Sequence, residues 1–138
     1  KVFIFAGQSN MVGSDSKVKD IQRFPPFLGL ENAQENVRFY YSIGRERKFE
    51  SDGWQSLSPV NNVVGPELSF ARMVSAKLKS EIAIIKCAAG GTHLGGDWNP
   101  ENPTGFKPCN RAMNCSGKAR VKHNGIEIKT KKKIILLY

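Results

Sequence analysis

Histidine is nearly absent from this chain. Its 138 residues hold two, His93 and His123, so a site built from several imidazoles is excluded. Cysteine is little more frequent. Cys87, Cys109 and Cys115 contain no Cys-x-x-Cys pair, which excludes a zinc ribbon or a thioredoxin-like redox centre. The odd number leaves at least one thiol without an intrachain partner, and nothing in the pattern supports a Cys109–Cys115 disulfide. Cys87 closes an apolar run and reads as a small buried residue. Asn114-Cys115-Ser116 meets the glycosylation rule only formally. Long apolar runs are missing as well. None approaches the roughly 20 residues of a membrane span, so no membrane partner is expected. No secretory signal is visible, because Lys1 alone precedes the first apolar residues. The chain starts without methionine and directly on that run, which reads as a cut or processed end. An upstream signal and an extracytoplasmic location stay open.

Acidic residues are scarce at one end only. Residues 105–138 hold nine Lys or Arg against the single Glu127, whereas residues 1–104 hold twelve against eleven Asp or Glu. The formal net charge of +9 is therefore a property of the tail, which includes Lys129-Thr130-Lys131-Lys132-Lys133. The rest is close to neutral, which argues against a nucleic-acid partner. The lysine run is either a solvated tail or a weak contact for an anionic surface. At 138 residues the chain suffices for one domain with a core.

What is present is a strand–turn–helix pattern that occurs twice. Val2 to Ala6 reads as a first strand and runs into Gly7-Gln8-Ser9. Residues 13–36 are punctuated by Gly13, Pro25-Pro26, Gly29 and Asn32 and read as a long loop. Val37 to Ile43 has strand composition, Trp54 to Leu57 is a candidate partner, and Gly44 to Gly53 would join them as a loop. Gly65-Pro66-Glu67 is a helix start, with proline in the first turn and a carboxylate near the positive end of the helix dipole. From Pro66 to Lys79, Leu68, Ala71, Val74 or Ser75, and Leu78 form an apolar stripe at helical spacing. Ile82 to Ile85 reads as a strand covered on both faces, and Ala89-Gly90-Gly91-Thr92 forms a second turn at its end. A right-handed crossover would place the two strands parallel and both turns on one edge. Asn110 to Lys122 reads as a further helix stopped by Gly125, and Ile126 to Ile128 as a strand start.

A serine presented just past a buried strand is a common way to expose a nucleophile. Its hydroxyl attacks a carbonyl only when a base takes its proton. Gly7 is expected to relax the backbone and keep bulk away from Ser9. The plain alternative is Ser9 as a helix cap.

The words themselves carry a resemblance. Gly7-Gln8-Ser9-Asn10-Met11 resembles the first block of the SGNH-type esterases, in the branch of sialate O-acetylesterases and acetylxylan-esterase-like enzymes. Val64-Gly65-Pro66-Glu67-Leu68-Ser69-Phe70-Ala71 is similar to the family's Gly-Pro-Glu helix start. Lys86-Cys87-Ala88-Ala89-Gly90-Gly91-Thr92-His93-Leu94, followed by Asp97-Trp98-Asn99-Pro100, is similar to its second block. Three matches in order are far more specific than a lone Gly-x-Ser, and they extend over roughly residues 1 to 114. The resemblance implies an α/β fold, a three-layer α/β/α flavodoxin-like sandwich on a parallel sheet, here incomplete. It implies hydrolysis of acetyl esters on carbohydrates, sialic acid or xylan being typical, and no metal or organic cofactor. Ser9 is implied as nucleophile. The N–H groups of Ser9 and Gly91, with Gly90 as alternate, are implied as oxyanion donors. Asn10, His93, Asp97 and Trp98 are candidate substrate-lining residues, Asn10 chiefly as a brace of the turn. Met11 reads as core, and Glu67 as a helix-start carboxylate rather than a catalytic acid.

The family's base is missing. It comes from an Asp-x-x-His motif, yet the residues three past Asp15, Asp20, Asp52 and Asp97 are Val18, Arg23, Gln55 and Pro100. The Gln-Gly-Glu-Ser-Asp stretch that supplies a third donor is also absent. His93, two residues past Gly91, is the nearer substitute, and His123 reads as a surface residue. The expectation is a truncated or frameshifted form of the domain over 1–128, weakly active or inactive, with 129–138 as an aberrant tail. Its terminal Ile134-Ile135-Leu136-Leu137 is apolar enough to occupy the third strand. Two other readings stay open: a non-catalytic glycan-binding relative of the same fold, and a flavodoxin-like nucleotide binder with a phosphate at the Ser9 turn.

Overall fold

The run Val2-Phe3-Ile4-Phe5 is built from β-branched and aromatic residues, which suit a pleated, packed surface. A computed structural model describes residues 1–92 and 136–137, and there the run forms β1 (Val2–Gly7). Two single-turn helices follow, α1 (Ser9–Val12) and α2 (Val18–Ile21), then a 3-10 turn at Pro25–Phe27. β2 spans Gln34–Ile43, a second 3-10 turn Arg45–Arg47, β3 Phe49–Glu50 and β4 Gln55–Leu57. α3 (Pro66–Leu78), β5 (Ile82–Ala88) and β6 (Leu136–Leu137) follow.

These strands form one sheet in the order β3-β2-β5-β1-β6, with β4 also on β2. β5 lies between β1 and β2 and is parallel to both. β3 and β4 run antiparallel to β2. The terminal Leu136–Leu137 pairs parallel with Ile4 and Phe5. Strands β1 and β5, joined in the chain through α3, are thus parallel neighbours, as the crossover predicts.

The register sorts the side chains into two faces. Phe3 is level with Ile84, and Ile84 with Phe39, while Val37 is level with Ile82. All five are buried. α3 covers this face. Leu68, Ala71 and Ser75 are buried, and Val74 and Leu78 pack against the core from its edge. Phe70 sets its ring edge-on to Phe3 and Phe5, with centroids 5.0 and 5.2 Å away. Such pairs add about 0.5–1.5 kcal/mol each beyond area burial. The opposite face carries Ile4, Ala6, Ala83, Ile85 and Cys87, all half-buried. So the run at 82–85 is buried on alternate positions rather than on both faces, and Cys87 is half-buried. The architecture is α/β on a mostly parallel sheet, an incomplete form of the expected sandwich.

The punctuated region 13–36 is more ordered than its composition predicts. α2 and the Pro25–Phe27 turn lie within it, and β2 begins at Gln34. Tertiary contacts hold it: Ile21 and Leu30 are buried, and Arg72 of α3 donates to the carbonyls of Pro26 and Leu28. Gly44 to Gly53 likewise holds a 3-10 turn and β3 rather than a plain loop. The expected helix at 110–122 and strand at 126–128 lie outside the described residues.

Candidate active site

Ser9 is the first residue of α1, two positions past the end of β1, with Gln8 between them as the flanking cap residue. Its hydroxyl does not cap the helix. It donates to Gln8 Oε1 at 3.2 Å, and the side chain is half-buried. Gly7 is not in the left-handed region. A Cβ there would approach Met11 Cβ to 3.0 Å, so Gly7 admits the buried Met11 rather than clearing space for Ser9. Asn10 is exposed on the same short helix. A phosphate at this turn would meet a helix of only four residues, whose summed dipole is small, and this weakens the nucleotide reading.

The second turn is stitched to the first. Ala89 N–H donates to Gly7 O at 3.0 Å, so the chain leaves β1 and β5 side by side. Gly44 N–H donates to Ala88 O at 2.8 Å and brings in the end of β2. Thr92 Oγ1, buried, donates to Ala89 O at 2.8 Å and closes the turn on itself. A side chain on Gly90 would begin 3.9 Å from Ser9 Cβ. Gly91 has φ +72°, a conformation that disfavours any other residue. Ser9, Gly90 and Gly91 are therefore together on one sheet edge. His93, Asp97 and Trp98 lie outside the described residues, as does His123.

One residue at this turn has no sequence signal. Arg45, in the segment expected to be a loop, donates from Nε to Gly90 O and from Nη2 to Gly91 O, each at 3.1 Å. It is exposed and lies two residues past the end of β2, so only the assembled sheet shows what it reaches.

Beneath the Ser9 helix lies a buried ion pair. Lys86 occupies an inward position of β5, level with Phe5 and Tyr41. Its Nζ lies 2.7 Å from Glu67 Oε2, and the two side chains are 1% and 2% exposed. Nζ also donates to Val12 O at 3.3 Å, at the end of α1. Glu67 is thus more than the helix-start carboxylate expected, because its partner is a lysine rather than solvent and dipole alone. Burial pushes the Glu67 carboxyl up and the Lys86 ammonium down, and each partner pulls the other back toward its charged form. Gly65 leaves the space, since a Cβ there would overlap both Glu67 Oε2 and Lys86 Nζ. A cleft of about 190 Å³ opens beside the pair, between Val12, Lys17, Ile43, Phe49 and Val60. Ser9, Gly90 and Gly91 do not line it, so it is not where an acyl group would meet Ser9.

The fold is an α/β framework on a mostly parallel sheet, with a serine turn and a glycine turn at neighbouring strand ends. The chain belongs to the carbohydrate esterase family of sialic acid-specific acetylesterases, whose family model matches residues 1–129. No curated protein sequence matches it. Among solved structures it is similar to a protein of Arabidopsis thaliana, at 20% identity and a TM-score of 0.50, over 74% of this chain and 46% of that one. It is also similar to a carbohydrate acetylesterase from Xanthomonas citri, at 16% identity and a TM-score of 0.44, over 72% of this chain and 24% of that one. The chain thus spans less than half the length of either structure. The Arabidopsis likeness supports the fold alone.

Proposed function

We propose that this chain carries the nucleophile and oxyanion half of a carbohydrate O-acetylesterase site. The observation that carries the reading is the junction of the two turns, with Ala89 N–H on Gly7 O at 3.0 Å and Ser9 Cβ 3.9 Å from the Gly90 side-chain position. Ser9 Oγ forms a bond to the acetyl carbonyl carbon as its proton passes to a base. The carbonyl oxygen, now negative, takes hydrogen bonds from the Ser9 and Gly91 amides. The sugar oxygen departs with a proton, leaving acetyl-serine, and water releases acetate. The substrate class is an acetylated carbohydrate, as the family description names a sialic acid-specific acetylesterase.

The 138 residues contain no Asp-x-x-His, so turnover by this chain is slow. Missing general-base help lowers the rate by roughly 10²- to 10⁴-fold. The test compares purified protein with its Ser9→Ala variant in two assays. The first is hydrolysis of a chromogenic acetate ester. The second is labelling by a fluorophosphonate, with the modified residue located by mass spectrometry. Labelling confined to Ser9 and lost in the variant is expected. Equal labelling of both proteins removes Ser9 from the mechanism. Fast, Ser9-dependent turnover instead overturns the missing base and directs mutagenesis to His93.

A further inference from the structure

We propose that Arg45 is a positioning residue for the oxyanion donors, setting the orientation of the Gly90–Gly91–Thr92 peptides by clamping two successive carbonyls. The proposal rests on the esterase reading above and adds to it a residue that no motif supplies.

The geometry is that of a planar fork. Nε–H and Nη2–H lie on one edge of the guanidinium and point the same way, which matches two acceptors presented side by side. Here they reach Gly90 O and Gly91 O, each at 3.1 Å. In a trans peptide the C=O and the following N–H point in opposite directions. Holding Gly90 O toward Arg45 therefore turns the Gly91 N–H away from it. Holding Gly91 O does the same for the Thr92 N–H. Two successive N–H groups turned to one side form a concavity suited to a negative oxygen. The neighbouring residue across the turn is Ser9, whose Cβ lies 3.9 Å from the Gly90 side-chain position.

The clamp also accounts for two local features. Gly91 takes φ +72°, the value that lets successive carbonyls face one partner, and a Cβ there would come within 2.7 Å of Arg45 Nη2. Gly44 N–H on Ala88 O fixes the end of β2 to the end of β5, so Arg45 starts from an anchored base. Lysine cannot replace this fork, because an ammonium is a point donor that satisfies one carbonyl well and the second poorly.

The experiment compares wild-type protein with Arg45→Lys and Arg45→Met after confirming equal thermal unfolding. Amide NMR signals and hydrogen exchange of Gly91 and Thr92 are read first. Arg45→Met is expected to shift both signals and speed their exchange while the β1 amides stay put, with Arg45→Lys between. Added guanidinium ion, below denaturing concentration, is expected to restore part of the shift. The second reading is the rate at which ethyl p-nitrophenyl methylphosphonate modifies Ser9, its phosphoryl oxygen standing in for the oxyanion. That rate is expected to fall about 10- to 100-fold in Arg45→Met, a fraction of the loss when a donor is removed outright. Unmoved Gly91 and Thr92 amides in Arg45→Met overturn the clamp. Moved amides with an unchanged modification rate overturn its role in positioning. Wild-type protein that resists the phosphonate altogether defeats the esterase reading instead, and the clamp then stands or falls on the amide signals.

Discussion

Replacing Lys86 with methionine removes a buried positive charge and leaves Glu67 facing an apolar interior. The pair sits at 2.7 Å with side chains 1% and 2% exposed, so water compensates neither partner. Breaking such a pair from one side costs about 3–5 kcal/mol, a large part of the roughly 5–15 kcal/mol that holds a domain together. Glu67→Leu should cost a similar amount by stranding Lys86. The double variant removes both charges at once and is expected near wild type, which makes the coupling energy several kcal/mol. The pH dependence carries the sign. In Lys86→Met, Glu67 loses both lowering effects of Lys86, and burial, opposed only by a backbone hydrogen bond, raises its folded pKa above the unfolded value. The folded state then binds the extra proton, so the penalty shrinks as pH falls through the raised folded pKa. In Glu67→Leu the folded pKa of Lys86 lies below its unfolded value, so the penalty shrinks as pH rises toward 10. Urea unfolding followed by circular dichroism across pH measures all four proteins. Additive single effects, or penalties that do not move with pH, would refute an ion pair as the element joining β5, α3 and the Ser9 helix.

Other positions give sharper local tests. Gly7→Val should destabilise by about 1–3 kcal/mol in urea titrations, because its side chain would crowd Met11 Cβ, 3.0 Å from the added Cβ. Leu68→Ala should cost about 2–5 kcal/mol in the same assay, since Leu68 is fully buried under α3. Gly91→Ala should slow phosphonate modification of Ser9 and cost about 1–2 kcal/mol in the same titrations, because φ of +72° strains any side chain and a Cβ would meet Arg45. A loss of folding in that variant would assign the turn a structural role instead.

Much of this arrangement is legible in the residues alone, for stated reasons. Val2-Phe3-Ile4-Phe5 and Ile82-Ala83-Ile84-Ile85 are apolar runs bounded by glycine or helix signals, and they become adjacent parallel strands. Leu68, Ala71 and Ser75 follow helical spacing and are buried. Leu136–Leu137, from the terminal apolar run, pairs with the edge of β1. The Ser9 and Gly91 turns follow from the strand ends. Arg45 and Lys86 do not announce themselves. Arg45 sits in a polar-looking stretch and Lys86 inside an apolar strand, and the partner of each is distant in sequence: Gly90 and Gly91 for Arg45, Glu67 for Lys86. Local periodicity carries no information about such pairs. One clue did exist for Lys86, which continues the inward register of Ile82 and Ile84 and so needs a buried counter-charge.

The pairing of β1 with β5 has a consequence for how the protein is made. Val2 aligns with Ala83 and Gly7 with Ala88, so the two halves of the serine and glycine turns are synthesised about 80 residues apart. At a translation rate of about 5–20 residues per second, β1 waits on the order of 4–16 s for its partner strand. During that interval Val2, Phe3, Ile4 and Phe5 have no β5 to lie against, and α3 is made only near its end. Ser9 therefore acquires its neighbours late. A nascent chain halted before residue 82 would present the apolar β1 segment to chaperones rather than to the core, and a translational pause beyond Thr92 would be the earliest moment at which both turns coexist.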